Sequence, residues 1–366
     1  MATAQKAPKK IQRAGSTKTI LITGGAGFIG VNAAKHFLEK GSDVTIFDNF
    51  SRKGSDVNAR LLKRDTKGAK GTLRVVRGDV VTDLKALDRE AAKADVVLHL
   101  AAQVAVTTSI LNPRADFETN IVGTFNVLEA VRLAKSKPML LYSSTNKVYG
   151  SLPHLPVKDA KTRHVFVSKP HATHGVSERE QLDFHSPYGC SKGAADQYVI
   201  DYSRMYGLQT VVFRQSCIYG PYQFGVEDQG WVAWFTIAAL LNRPITLYGT
   251  GKQVRDILYV DDLVRLYDLA IANMHKIGGK AYNVGGGPRN TISLIELLAH
   301  LGRQMGKRIA PTMASARAGD QPVFVADIRR LKSELGWEPA MGVEGGWQGM
   351  YDWIAAHEEH VRKVLG

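Results

Sequence analysis

Apolar residues along the chain fall into short runs bounded by glycine or charge, and these runs alternate with stretches of helical period. Thr19 to Thr23 (TILIT) reads as a buried parallel strand. A helical-period stretch follows from Phe28 to Lys40 and stops at Gly41. Strand-like runs recur at Asp43–Phe47, Leu73–Arg77, Asp95–Leu100, Met139–Ser143, Gln209–Phe213 and Ala281–Val284. An amphipathic helix is predicted over Phe117–Lys135, with Ile121, Phe125, Leu128 and Val131 on one face. A second opens at Tyr188 and turns Ala195, Tyr198, Val199 and Tyr202 inward.

This alternation predicts βαβ units: an α/β fold built on a Rossmann-type, doubly wound parallel sheet. Such sheets bind ligands beyond the carboxyl ends of their strands. From Ser216 onward glycines, aromatics and prolines become denser, as expected of a smaller substrate-binding lobe. The organisation expected is a Rossmann-type domain of residues 19–213 plus 252–285, and a discontinuous C-terminal lobe of residues 214–251 plus 286–366. Residues 150–185 read as an insertion that holds five of the 11 histidines: His154, His164, His171, His174 and His185. No Cys or acidic ligand pattern accompanies them, so a mobile lid is expected there rather than a metal site.

Composition narrows the class. With 44% hydrophobic and 22% charged residues over 366 positions, a wholly disordered chain is excluded and two lobes are expected. The net charge is +14, and the first 18 residues carry Lys6, Lys9, Lys10, Arg13 and Lys18 without one acid. This segment is expected to be a solvated tail, with an organelle transit segment as the other reading; it lacks the apolar core of a signal peptide. The remaining positive excess suits anionic ligands such as nucleotides and is compatible with RNA. Cys190 and Cys217 are too few for a disulfide framework or a Cys-rich zinc site, and they fit a reducing compartment. No apolar stretch reaches the ~18 residues of a membrane helix. The longest, Trp231–Leu241, reads as a buried helix, and a cytoplasmic location is expected.

Four motifs carry candidate chemistry. Thr23 to Gly30 (TGGAGFIG) lies between a strand and a helix, where Gly24 permits the turn, Gly27 lets a pyrophosphate approach and Gly30 lets the helix pack closely. Asp48 ends the second strand, where a carboxylate holds ribose hydroxyls and repels a 2′-phosphate; NAD is expected over NADP, with nearby Arg52 weakening the preference slightly. Tyr188 and Lys192 stand at i and i+4, so an ammonium beside the phenol is expected to lower the tyrosine toward neutrality and make it a general base. Ser143 to Gly150 (SSTNKVYG) follows a strand and offers hydroxyls that can share the proton of an alcohol.

In this order and spacing the motifs resemble the extended short-chain dehydrogenase/reductase superfamily of nucleotide-sugar epimerases and dehydratases, from about Thr19 to the C-terminus. The stretches 144–150, 183–198, 228–235 (DQGWVAWF), 251–256 (GKQVRD) and 320–328 (DQPVFVADI) are similar to members that invert C2 of a CDP-linked sugar. The resemblance implies Thr145, Tyr188 and Lys192 as the catalytic group. It implies tightly bound NAD+, contacted by Gly24, Gly27, Phe28, Ile29, Asp48, Asn49, Ser51, Arg52, Asp79, Val80, Leu100, Ala101, Ala102, Gln103, Asn120, Ser143, Tyr188, Lys192 and Arg214. It implies a nucleotide-sugar substrate held by Gln103, Thr145, Asn146, Lys147, Gln215, Gln229, Arg255, Arg317 and Asp320. A homo-oligomer, no nucleic-acid or membrane partner, no metal and a place in lipopolysaccharide O-antigen biosynthesis go with it. Helices near 117–135 and 188–206 are candidates for the subunit interface.

Gln215 stands where the family often has histidine, and Tyr222 where it often has arginine, which leaves the sugar open. Related dehydratases carry Thr-Asp-Glu where this chain has Thr145-Asn146-Lys147. Asn exchanges no proton at neutral pH and Lys is ordinarily a poor acid, so 4,6-dehydration is disfavoured. A 4-epimerase or another NAD-dependent oxidoreductase remains open. So does a non-catalytic RNA-binding or regulatory homologue, although the chain has no interleaved basic and aromatic stripe.

Overall fold

The computed structural model describes residues 17–317 and 320–366; the expected tail lies, up to Ser16, outside the described residues. Seven strands form one sheet: β1 (Thr19–Thr23), β2 (Asp43–Asp48), β3 (Leu73–Arg77), β4 (Val96–His99), β5 (Met139–Thr145), β6 (Thr210–Gln215) and β7 (Lys280–Val284). Their order is β7-β6-β5-β4-β1-β2-β3, and every pairing is parallel. The order reverses between β1 and β4, the switch point where a doubly wound sheet opens a crevice. Side-chain alternation divides the core: Ile20 and Ile22 face one layer with α1 (Phe28–Glu39), whereas Leu21 faces the other with Val127, Leu128 and Val199.

The second lobe has its own small sheet. Val254–Tyr259 pairs in parallel with Cys217–Tyr219 and Val323–Phe324, and antiparallel with Thr291–Ser293. The start of the 252–285 segment therefore belongs to the lobe's sheet, and only its end, β7, joins the large one. The buried helix expected near 231 is α2 (Trp231–Leu240). Asn32 Nδ2 donates to the Pro221 carbonyl (2.9 Å) and Asn58 Nδ2 to that of Tyr222 (3.1 Å), tying the lobe's first segment to the glycine-rich end of the sheet.

Two helices depart from expectation. The 117–135 helix is broken into Pro113–Phe117, a π turn over Glu118–Val122, and α3 (Gly123–Leu133). The wider turn shifts the facing residues. Leu128 and Val131 are buried, but Phe125 is 43% exposed. On α4 (Ser186–Tyr206), Ala195, Val199 and Tyr202 face inward, whereas Tyr198 is 48% exposed and meets Phe125 edge to face at 6.4 Å.

Residues 150–185 form a hairpin of Val157–Asp159 and His164–Phe166 and a short helix Lys169–His174. They pack on the second lobe: Val176 bridges Ala326, and Phe166 shares a core with Val323 and Phe324. None of them lines the main cleft, so the segment lies beside the site rather than over it. Its histidines pair with carboxylates, His154 and His171 with Glu180 (3.0 Å each) and His164 with Asp159 (2.7 Å). Among the described residues no cluster of His, Cys, Asp or Glu could hold a metal ion.

Candidate active site

A cleft of about 640 Å³ runs along the carboxyl ends of the large sheet and is closed on its far side by the second lobe. At its floor the chain leaves β1 through Gly24, whose φ of +69° and lack of a Cβ let it lie against the β4 loop; a Cβ would sit 2.6 Å from the Ala101 nitrogen. A Cβ on Gly30 would sit 2.6 Å from Gly25 Cα, so the third glycine brings α1 against the turn. Gly27 caps α1 without any side-chain bond, and the first turn carries no acid. Its backbone N–H groups and the positive end of the helix dipole therefore face the cleft.

Beside this cradle, Asp48 accepts from the backbone N–H of Ala26 (3.0 Å) and of Phe50 (2.8 Å), and burial raises its carboxyl above the ordinary range. Asp79 accepts from Asn49 Nδ2 and from the Val81 N–H, both at 2.8 Å. Arg52 reaches across the cleft and donates to Gln229 Oε1 of the second lobe. Glycine cradle, open helix terminus and strand-end carboxylate make a donor set that fits a dinucleotide.

At the centre, β5 delivers Ser143 and Thr145, and the first turn of α4 delivers Tyr188 with Lys192 one turn on. Tyr188 stands beside the Thr145 side chain, whose proximity offsets part of the effect of burial on the phenol, and its backbone N–H donates to Ser109 Oγ (3.1 Å). Lys192 Nζ lies 4.2 Å over the Tyr142 ring and donates to the Ser143 carbonyl at 2.5 Å. Burial lowers Lys192 to about 7, so at neutral pH it carries only part of a positive charge to act on the phenol. Burial also pushes Tyr188 up to about 12. The expectation that Lys192 brings Tyr188 toward neutrality is opposed by desolvation, which outweighs the neighbouring charge.

Toward the second lobe, Asn146 Nδ2 donates to Gln321 Oε1 (3.0 Å), and Gln215 Nε2 to the Tyr267 hydroxyl (2.9 Å). Arg255 donates to Asp320 (2.6 Å), and Lys147 stands 3.8 Å from the same carboxylate. Burial, with Arg255 nearby, lowers Lys147 to about 8. That lysine is a better proton donor than its type suggests, so the argument against dehydration rests on Asn146. Arg317 covers the Tyr248 ring at 3.8 Å and pairs with Asp228 at 2.9 Å.

Of the expected residues, all but three line this cleft. Gln103 N–H donates to Asn120 Oδ1 (2.9 Å), and Asn120 Nδ2 donates to Gln103 O, Asp116 and Ser191 Oγ, stapling the π turn to α4. Arg214 forms a buried bidentate pair with Asp196 (2.9 and 3.0 Å) and donates to Tyr149. Gln103, Asn120 and Arg214 support the walls rather than face the ligand space. Sequence reasoning missed Tyr248, Glu227 and Gln253, which line the lobe side. Gln253 was within reach, since it lies inside the GKQVRD stretch.

Comparison with known proteins agrees with this geometry. Residues 20–285 match the model of the NAD dependent epimerase/dehydratase family. The chain is 46% identical over 344 residues to the CDP-paratose 2-epimerase of Salmonella typhi, covering 92% of this chain and 99% of that one. Among solved structures it is similar to the UDP-glucose 4-epimerase of Thermotoga maritima (TM-score 0.77, 29% identity, 93% of this chain and 99% of that one). It is similar also to the dTDP-glucose 4,6-dehydratase of Streptomyces venezuelae, solved with NAD (TM-score 0.78, 27% identity, 93% and 98%). NAD is thus the cofactor, and the chain belongs to the NAD dependent epimerase/dehydratase family as a nucleotide-sugar epimerase.

Proposed function

We propose that this protein inverts C2 of a CDP-linked sugar, of the CDP-paratose to CDP-tyvelose type, by transient oxidation to a 2-keto sugar and return to the opposite configuration. The observation that carries the reading is Tyr188 standing beside Thr145 at the cleft centre, with Asn146 where a dehydratase has an acid. Similarity to the Salmonella typhi enzyme supports C2 and cytidine. When bound, NAD supplies a reversible hydride acceptor for the sugar carbon.

The chain's own groups do the rest. Tyr188 Oη takes the proton of the C2 hydroxyl and later returns it. Thr145 Oγ1 bridges by hydrogen bond and fixes the alcohol's direction. Lys192 holds the Ser143 carbonyl and, when protonated, favours phenolate. Arg255 and Arg317 hold the diphosphate, since a guanidinium matches phosphate oxygens in a forked geometry. The glycine cradle, Asp48 and Asp79 hold the two halves of the dinucleotide.

Three further features belong to this reading: a homo-oligomer joined through the outer faces of α3 and α4, a cytoplasmic location, and service in O-antigen synthesis. Among the described residues no helix is long and apolar enough to cross a membrane.

The test is incubation of purified protein, without added NAD, with CDP- and UDP-linked sugars in D2O, read by NMR. The expected result is a C2 epimer of a CDP-sugar with no deuterium on carbon. Deuterium at C2 would mean an enolising path and overturn the scheme, and C4 inversion would move the reacting carbon.

A further inference from the structure

A chain of contacts leads away from Thr145 along the lobe side of the cleft. Lys147 stands 3.8 Å from Asp320, and Gln253 Nε2 lies 3.5 Å from the same carboxylate. Gln253 Nε2 also donates to the Tyr248 carbonyl at 2.7 Å. The Tyr248 hydroxyl donates to Glu227 Oε1 at 3.0 Å. This path runs from Arg255 to Arg317, the arginines assigned to the diphosphate, and ends at Glu227 on the side of the cleft left for the nucleoside.

The donors at this end are already engaged. Tyr248 spends its hydroxyl proton on Glu227, and Arg317, oriented by Asp228 and the Tyr248 ring, is committed to the diphosphate. Both partners of Gln253 Nε2 are acceptors only, which fixes the orientation of the amide. Its Oε1 is buried in the cleft wall without a hydrogen-bond partner. A buried acceptor of this kind calls for a donor, which a base seated in the cleft offers once a small turn of the amide brings the oxygen to the cleft surface. Cytosine presents an amine at C4, whereas uracil and thymine present a carbonyl there, which would set acceptor against acceptor.

We propose that Gln253 Oε1, assisted by the Glu227 carboxylate, reads the exocyclic amine of the substrate's base and so selects cytidine over uridine and thymidine nucleotides. The inference rests on the nucleotide-sugar reading of this cleft and names the residues that choose the base.

Calorimetric titration of the NAD-loaded protein with CDP and with UDP tests it apart from turnover. The wild type is expected to bind CDP at least about thirtyfold more tightly than UDP. Gln253→Met, of similar volume but with no acceptor, should weaken CDP about tenfold and leave UDP unchanged. Glu227→Gln adds an amide donor and should tighten UDP. Retained NAD reports folding of each variant, and if one loses it the other decides alone. A wild-type preference for CDP that both variants keep would overturn this assignment while the CDP-sugar function stands. Equal or tighter binding of UDP by the wild type would overturn both.

Discussion

Lys192 is buried under the Tyr142 ring, and burial lowers it to about 7, against about 10.4 for a lysine in the unfolded chain. Between those values the unfolded chain holds a proton that the folded chain has released, so stability rises with pH across that window. Below about 7 both states are protonated and the cost of the buried charge is fully present. Lys192→Met removes that cost and strands the Ser143 carbonyl. The variant should therefore compare best with the wild type at pH 6 and lose ground by pH 9 to 10, a swing on the order of 1–3 kcal/mol. Urea unfolding of NAD-free protein at both pH values reads it, and a pH-independent difference would show that burial does not penalise the charge. Tyr188→Phe keeps the ring and removes the proton acceptor: kcat should fall about 10²- to 10⁴-fold with NAD content unchanged. Turnover at the wild-type rate would remove Tyr188 from the chemistry.

At the level of the elements, the glycine turn separates two effects. Gly24 has φ +69°, and a Cβ there would meet the Ala101 nitrogen at 2.6 Å, so Gly24→Ala strains the backbone and pushes β1 from the β4 loop. It should cost about 1–3 kcal/mol and lose NAD as well. Gly27 has φ −72°, and the nearest atom to its Cβ would be the Gly24 carbonyl at 3.1 Å. Gly27→Ala should fold nearly as the wild type does yet retain little NAD, because its methyl occupies the approach of a pyrophosphate. Melting temperature and bound NAD together distinguish the two, and full NAD content in Gly27→Ala would contradict the cradle. The turn at Gly24 and the close packing at Gly30 were readable beforehand, because a glycine triplet between a strand and a helix fixes both turn and direction. The strands were readable too, since runs such as Ile20–Ile22 are buried on both faces of the sheet. The π turn was not, because no residue type demands its wider spacing, and Phe125 rotated outward as a result. Val254–Tyr259 is buried throughout, Arg255 and Asp256 included, and a strand buried on both faces reads alike in either sheet. Asn120 and Arg214 sit in motif stretches, but position in a motif does not say which way a side chain points. For Tyr188, the charged neighbour was legible and the depth of burial, which decides its titration, was not.

At the scale of the whole molecule, the outer face of α3 and α4 stands apart from the rest of the surface. Phe125 and Tyr198 meet edge to face, Leu133, Met205 and Tyr206 are exposed on the same two helices, and Phe117 is exposed at the end of the short helix before them. Contiguous apolar rings on an outer helix pair are what a self-complementary interface requires, since a two-fold axis sets the same patch on both copies. The helix that bears this face also carries Tyr188 and Lys192 at its opposite end and on its inner side, so pairing would brace the catalytic turn without adding a residue to the cleft. A double substitution, Phe125→Asp with Tyr198→Asp, puts charge on the patch and leaves the sheet and the glycine turn untouched. Each aromatic removed from the centre of an interface weakens association by about thirtyfold or more. Sedimentation should then show a dimer for the wild type and a monomer for the variant at micromolar concentration, with NAD still bound because each cleft is built from one chain. A variant that sediments like the wild type would move the subunit contact elsewhere. A monomeric variant stripped of NAD would mean that α4 holds the cofactor site together only when a second copy supports it.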